Sequence, residues 1–239
     1  MTDFRLGRSQ IIPPVIKNLI IINVIVFLVQ FTFENRGSTW MLDFFALHDI
    51  RSAFFKPHQI VTYMFLHGGF WHIFWNMLIL WMFGSILENY WGPKRFLTFY
   101  IVCGIGAALL HLLVIYQELT PAYDALSSLP VHDQIMLRSS PGASLGGYNI
   151  NESTLGASGA IFGCMVAFGL LFPNSLIYIY ALIPIKAKWA VLAYVVYELF
   201  LGVQNNAGDN VAHWAHLGGG LVGLILVFYW RKTDRKNFY

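Results

Sequence analysis

Charged residues are scarce in this sequence, and their scarcity indicates the class of protein. Asp, Glu, Lys and Arg together make up 11% of the 239 residues, whereas an ordinary soluble domain carries about 25%. Hydrophobic residues make up 57%. This balance excludes a typical soluble domain and predicts a chain that crosses a membrane several times. The net charge of +3 is too small to indicate a nucleic-acid partner.

Cysteine is scarce as well. The two cysteines, Cys103 and Cys164, both lie in apolar segments, which indicates small core residues and neither a disulfide framework nor a cysteine metal site. Linkers and low-complexity runs are also lacking, so we expect one polytopic domain. The polar segment Met1–Pro14 lacks the apolar core and cleavage site of a signal peptide, so we expect the first apolar segment to be retained.

Six apolar segments approach the length needed to span a bilayer, roughly 17–25 residues. They run approximately over residues 18–33, 67–89, 95–116, 155–172, 176–203 and 211–230. The fifth is interrupted by Pro184, Lys186 and Lys188, so residues 176–183 are expected to form a connector and the span to start near Trp189. The sequence therefore predicts an all-α membrane protein, a bundle of six transmembrane helices.

Lysine and arginine are distributed unevenly over this topology. With six spans both termini lie on one side, and 11 of the 15 basic residues belong to that side: Arg5, Arg8, Lys17, Lys94, Arg95, Lys186, Lys188, Arg231, Lys232, Arg235 and Lys236. The positive-inside rule then predicts that both termini are cytoplasmic. We expect an N-terminal cytoplasmic segment (1–17), a membrane domain (18–230) and a basic cytoplasmic tail (231–239).

Two long loops, 34–66 and 117–154, face outward in this topology. The first is rich in Trp, Phe and His, so we expect it to lie partly in the membrane interface. The second contains Pro121, Pro130 and Pro141 with several Ser and Gly residues, a composition that predicts irregular structure.

Polar side chains fall at one shallow level of the predicted bundle. The second, fourth and sixth spans all run from the outside inwards, and they carry His72 and Asn76, Ser158, and His216, respectively. Each residue lies one to two turns into its span, within roughly 5–15 Å of the outer boundary. Polar groups inside a membrane are costly, which makes these residues candidates for a functional site.

Glycine spacing predicts that two of these helices touch. G-x-x-x-G pairs occur on the fourth and sixth spans, at Gly159 with Gly163 and at Gly219 with Gly223. Such pairs let helix backbones approach closely. His216 shares the glycine face of its helix and Ser158 lies at the margin of the other, which predicts a Ser–His hydrogen bond and stacking of Phe162 on the His216 ring. These are a nucleophile and a base.

The second span supplies possible oxyanion donors. His72 and Asn76 are spaced i, i+4 on one helical face, and both side chains can donate hydrogen bonds. The backbone N–H of Ser158, near a helix N-terminus, is a third donor. Acyl transfer needs such donors where the carbonyl oxygen becomes negative.

Structural and non-catalytic interpretations compete with this one. Taken singly, a membrane serine commonly bonds a backbone carbonyl and a membrane histidine commonly packs, whereas their joint occurrence at one level favours catalysis. His67 and His213 are expected to be interfacial structural residues, with a supporting role left open. Glu88 is expected to bond neighbouring backbone or the nearby basic residues, and Glu198 has no assigned role.

Two other classes of function compete with a serine–histidine enzyme. A non-enzymatic membrane protein, such as a channel or a chaperone-like binder of membrane helices, would lack the nucleophile or the base, and the chain has both. A metalloenzyme using the histidines ranks last because no His-Glu-x-x-His is present and no carboxylate is expected beside them. That set comprises His67, His72, His213 and His216.

The sequence resembles the rhomboid family of intramembrane serine proteases over all six spans. Three motifs carry the resemblance: HGGFWHIFWN at 67–76, GASG at 156–159, and AHLGG at 215–219 with Gly223. It implies a six-helix bundle with an interfacial first loop, Ser158 as nucleophile, His216 as general base, and His72 and Asn76 as oxyanion donors. No acid completes the dyad in the family, which agrees with our expectation that none is suitably placed here.

The resemblance also implies the setting of the reaction. No cofactor or metal is expected, and the expected partners are the lipid bilayer and transmembrane-helix proteins, cut near the outer membrane face at small residues. The expected location is a bacterial inner membrane. The alternative is a catalytically silent relative that binds transmembrane helices.

Overall fold

The computed structural model describes residues 10–179, 182–204 and 212–233. Within them the helices are α1 (Pro14–Glu34), α2 (Trp40–Phe45), α3 (Gln59–Thr62), α4 (Phe70–Trp91), α5 (Pro93–Glu118), α6 (Thr120–Ser127), α7 (Val131–Arg138), α8 (Ser158–Leu171), α9 (Ala187–Gln204) and α10 (His213–Thr233). Most of the expected segments 1–17 and 231–239 lies outside the described residues. The predicted helical membrane fold is confirmed.

Six helices lie at the positions of the predicted spans: α1, α4, α5, α8, α9 and α10. Five of them, α1, α4, α5, α9 and α10, are long and apolar enough to cross a membrane. The remaining one, α8, has 14 residues, and at ~1.5 Å per residue it covers about 21 Å of a hydrocarbon core of about 30 Å. The helix at the predicted fourth span is therefore shorter than its neighbours, and its crossing of the membrane stays a prediction.

The expected connector before α9 is a β-hairpin. Strand β5 (Leu176–Ile179) pairs with β6 (Ile183–Lys186) in antiparallel register. Helix α9 follows at once at Ala187, two residues earlier than the predicted start near Trp189. Pro184 lies inside this hairpin, where a missing backbone N–H costs less than it would within a helix.

Glu88 joins two helices at the inner end of the bundle. Its carboxylate accepts hydrogen bonds from the backbone N–H groups of Val15 and Ile16, both at 2.9 Å. These N–H groups belong to the first turn of α1 and have no partner within that helix. Bonding to backbone, one of the two predicted alternatives for Glu88, is thus present, and it ties α4 to α1.

The centre of the bundle is a seam between α8 and α10, with α5 behind it. A Cβ built on Gly219 would collide with the carbonyl oxygen of Gly159, and one on Gly223 would lie 2.9 Å from the carbonyl oxygen of Gly163. Backbone therefore faces backbone along this seam, as the glycine pairs predicted. Such close contact lets short polar side chains on the two helices meet.

The second outward loop, 117–154, is not irregular as its composition predicted. It forms α6, α7 and a hairpin of β2 (Ser144–Leu145) with β3 (Tyr148–Asn149), followed by β4 (Ser153–Thr154). These elements enclose a small apolar core of Ala122, Tyr123, Leu126, Ala143 and Ile150. Proline and serine at the helix starts and turns, read as signs of irregularity, here delimit short elements.

The two long loops, 34–66 and 117–154, are joined to each other. Strand β1 (Leu47–His48) of the first loop pairs with β4 of the second. The guanidinium carbon of Arg51, also in the first loop, lies 3.9 Å from the ring centroid of Tyr116 and 4.2 Å from that of Tyr123. Burial raises the pKa of Tyr123 to about 12, so its hydroxyl stays protonated and donates to the carbonyl oxygen of Ile150 at 3.1 Å. The segment that leads to Ser158 is therefore supported from both loops.

Candidate active site

Ser158 is the first residue of α8, not one turn inside it as predicted. Gly156 sets the path of the backbone into Ser158, because its φ of +131° is readily adopted by glycine and is strained for other residues. The Gly156 N–H donates to the carbonyl oxygen of Tyr63 at 3.0 Å, and Thr154 bonds His111 at 2.6 Å. Ser158 therefore sits half-exposed at a helix N-terminus whose leading segment is anchored on two sides.

The predicted hydrogen bond between Ser158 and His216 is present. Ser158 Oγ lies 2.7 Å from His216 Nε2, and His216 is 8% exposed. The Phe162 ring stacks on the His216 ring with centroids 5.8 Å apart and planes 13° apart. This stacking, also predicted, restricts the orientation of the imidazole.

The ring of His72 lies beside Ser158. Its Nδ1 accepts a hydrogen bond from the backbone N–H of Gly68 at 3.1 Å, so in the neutral ring the hydrogen is on Nε2. A Cβ built on Gly156 would lie 2.9 Å from His72 Nε2 and 3.7 Å from Ser158 Oγ. An N–H donor and the serine oxygen thus border the same small space at Gly156.

Asn76 is oriented differently. Its Nδ2 donates to the carbonyl oxygen of His72 at 2.9 Å, one turn earlier in α4, and the side chain is buried. This bond uses one of the two amide hydrogens. His72 and Asn76 do share a helical face, but the catalytic role of Asn76 stays a prediction.

Glu198, which has no role assigned from the sequence, belongs to the site. Its Oε2 lies 2.9 Å from His216 Nδ1 and 2.7 Å from His213 Nδ1. The expectation that no acid is suitably placed is therefore wrong, and so is the expectation that no carboxylate accompanies the histidines. Two signals pointed to it: an acid within an apolar helix needs a partner, and the i, i+3 spacing of the two histidines puts both on one face.

This cluster also meets the compositional requirement of a metal site. The ligand atoms of Glu198, His213 and His216 lie within 4.8 Å of one another, and imidazole with carboxylate is a common zinc set. Each of these ligand atoms is already engaged in a hydrogen bond within the cluster. His67 stands apart, with its ring centroid 5.1 Å from that of His72.

Together these observations define a polytopic helical membrane protein with a hydrogen-bonded serine–histidine pair at a central helix seam. Residues 55–233 match the family model described as the rhomboid domain. The chain belongs to the rhomboid family.

Its curated relatives include organellar rhomboids. The chain is 30% identical over 186 residues to Rhomboid protein 1, mitochondrial, of Saccharomyces cerevisiae, a match covering 75% of this chain and 43% of that protein. It is 26% identical over 229 residues to RHOMBOID-like protein 12, mitochondrial, of Arabidopsis thaliana, covering 94% of this chain and 60% of that protein. The chain thus spans about half the length of these relatives.

Proposed function

We propose that this protein is an intramembrane serine endopeptidase that uses Ser158 and His216. The observation that carries the proposal is the 2.7 Å contact between Ser158 Oγ and His216 Nε2. Family membership supports the same class of activity. A serine hydroxyl is a weak nucleophile by itself and needs an adjacent base, which His216 supplies here.

In the proposed reaction, Ser158 Oγ attacks the scissile carbonyl while its proton passes to His216 Nε2. The resulting imidazolium then protonates the leaving amine, and a water molecule, activated by the same ring, releases the acyl group from Ser158. The stacked Phe162 keeps the ring in place through both proton transfers. Each step uses the same two side chains in one geometry.

The oxyanion of the proposed intermediate has candidate donors on both sides. The Ser158 backbone N–H is at the start of α8, where it has no partner in the helix and the helix dipole favours negative charge. His72 offers its Nε2–H beside Gly156. Donors fixed before the reaction stabilise the developing charge without reorganisation.

The proposed substrates are transmembrane helices of other proteins, cut near the outer face. Arg231, in the last turn of α10, donates to the carbonyl oxygen of Leu170 at 2.7 Å, so we place the inner ends of α8 and α10 near the same membrane boundary. A helix of about 21 Å in a core of about 30 Å then begins about 9 Å below the outer boundary. We also propose that both termini are cytoplasmic, following the distribution of Lys and Arg, in a bacterial inner membrane.

The competing function is a silent relative that binds transmembrane helices without cutting them. The deciding experiment reconstitutes the purified protein in liposomes with a labelled transmembrane substrate. Wild type is expected to cleave and to react covalently at Ser158 with a fluorophosphonate. Ser158→Ala is expected to fold, bind the substrate and lose both reactions. Cleavage by the alanine variant at the wild-type rate would refute the assignment.

A further inference from the structure

Glu198 faces the interior of the bundle from an otherwise lipid-exposed stretch of α9. It is 2% exposed, whereas its neighbours Tyr197 and Leu199 are 55% and 47% exposed. A carboxylate at this depth is costly unless it is paired. Two of its partners, His213 and His216, come from the first turn of α10, and Tyr194, one turn earlier in α9, also contacts the carboxylate.

The hydrogen bonds at Glu198 define the tautomers of both rings. An ionised carboxylate can only accept hydrogen bonds. The two contacts to Oε2, at 2.7 Å and 2.9 Å, therefore require a hydrogen on Nδ1 of His213 and on Nδ1 of His216. In neutral His216 this leaves the Nε2 lone pair free, and that atom faces Ser158 Oγ.

We propose that Glu198 is the positioning residue of this site, the third member of a Ser158–His216–Glu198 hydrogen-bonded chain whose carboxylate is oriented by His213. The inference rests on the proposed protease function. Glu198 keeps His216 in the tautomer that can accept the Ser158 proton, and it stabilises the imidazolium formed when the proton arrives. The proton itself stays on His216 and passes to the leaving amine, so Glu198 ends each turnover unchanged.

His213 has a separate part in this arrangement. It shares the oxygen that bonds His216, and its donation fixes the rotation of the carboxylate about the long Glu side chain. His213 is buried, at 7% exposure. The interfacial position expected from the sequence is therefore wrong, whereas the supporting role that the sequence left open is the one proposed here.

The first test compares two buried carboxylates at opposite ends of the domain. Glu198→Leu should lower kcat about 10- to 100-fold with KM little changed, since a hydrogen bond to a charged group contributes that order of energy. Glu198→Asp, which keeps the charge on a shorter side chain, should recover part of kcat. Glu88→Leu is the matched control: it removes a carboxylate that caps α1, so it should lower the unfolding temperature and leave the kcat of the folded protein unchanged.

The second test reads the tautomer directly and does not depend on cleavage. In ¹⁵N-histidine spectra of the wild-type protein, His216 should show a hydrogen on Nδ1, and Glu198→Leu should lose that state. An unchanged tautomer or an unchanged kcat in Glu198→Leu would overturn the proposal. An inactive wild type with the expected spectra would instead remove the protease function and keep the positioning contact.

A third test distinguishes the positioning role of Glu198 from binding of a metal ion by the same residues. Wild-type activity is expected to be unaffected by EDTA and by added zinc at low concentration. Loss of cleavage in EDTA with recovery in zinc would make Glu198, His213 and His216 metal ligands and would overturn the positioning role.

Discussion

Gly156 shows how much a single residue contributes to the geometry around Ser158. Its φ of +131° is strained for any residue with a side chain. Its missing Cβ also leaves the space into which both His72 Nε2 and Ser158 Oγ face. The glycine thus permits the backbone conformation before Ser158 and leaves room between His72 and Ser158.

Gly156→Ala is expected to reduce kcat strongly. The new Cβ would lie 2.9 Å from His72 Nε2, so the His72 ring must move, and loss of one oxyanion donor typically costs about 10²–10³ in rate. The measurement is kcat on a labelled substrate in liposomes. Gly146→Ala is the matched control, because Gly146 also has a positive φ, of +60°, and a Cβ there meets nothing within 4 Å. Equal rates for the two variants would contradict the placement of His72.

His72 and Asn76 have different hydrogen-bond partners, although their shared helical face predicts the same role, that of oxyanion donor, for both. The Gly68 N–H donates to His72 Nδ1, which leaves the hydrogen of the neutral ring on Nε2. Asn76, in contrast, donates one amide hydrogen to the carbonyl oxygen of His72. His72 is therefore better oriented than Asn76 for the proposed donor role, and Asn76 stabilises the helical turn that carries His72.

Among the elements, the pairing of α8 with α10 decides whether the site exists. Ser158 and His216 lie on different helices, 58 residues apart in sequence. The two backbones touch at Gly159 and Gly219, one turn or less from these side chains. Any increase in this helix separation lengthens the Ser–His contact directly.

Gly219→Ala is expected to destabilise the protein by about 1–3 kcal/mol and to abolish most activity, because the added methyl group meets a backbone carbonyl that cannot rotate away. The measurement is the unfolding midpoint in detergent, followed by kcat. Gly104→Ala is the matched control: its Cβ would meet the flexible side chain of Met64, which can adapt. A larger loss of stability in Gly104→Ala would show that the α8–α10 seam is not the critical contact.

At the scale of the whole molecule, the short α8 and the two paired loops, 34–66 and 117–154, fix the position of Ser158 in the bundle. The segment before it is tied to the first loop through β1 and β4 and to α5 through His111. The inner end of α8 is tied to Arg231. Both ends of this helix are thus anchored, which fixes the position of its N-terminus within the bundle.

Substrate cleavage is expected to depend on depth. A peptide bond in a helix must unwind before Ser158 can attack it, and Gly lowers that cost by about 1 kcal/mol relative to Ala. Moving a Gly-Ala pair stepwise down a model transmembrane substrate should give most product when the pair lies about 9 Å below the outer boundary. Mass spectrometry of the products locates each cut. Equal cleavage at every position, or preferred cleavage of poly-leucine helices, would contradict this prediction.

Several features of this protein follow from local sequence alone. The low charge content and the apolar segments predict a membrane bundle because each helix must satisfy its own backbone in lipid. The glycine pairs around Ser158 and His216 predict which helices touch, because only glycine permits that approach. Family membership also follows from these motifs and is confirmed.

Other features depended on the tertiary structure. The role of Glu198 could not be read from α9, because its hydrogen bonds with His213 and His216 depend on how two helices rotate and tilt against each other. The start of α8 at Ser158 and the order within loop 117–154 likewise depend on strand pairing between distant loops. Sequence patterns report the face that a residue occupies, whereas hydrogen-bond partners across helices are decided by sub-ångström packing that no local pattern encodes.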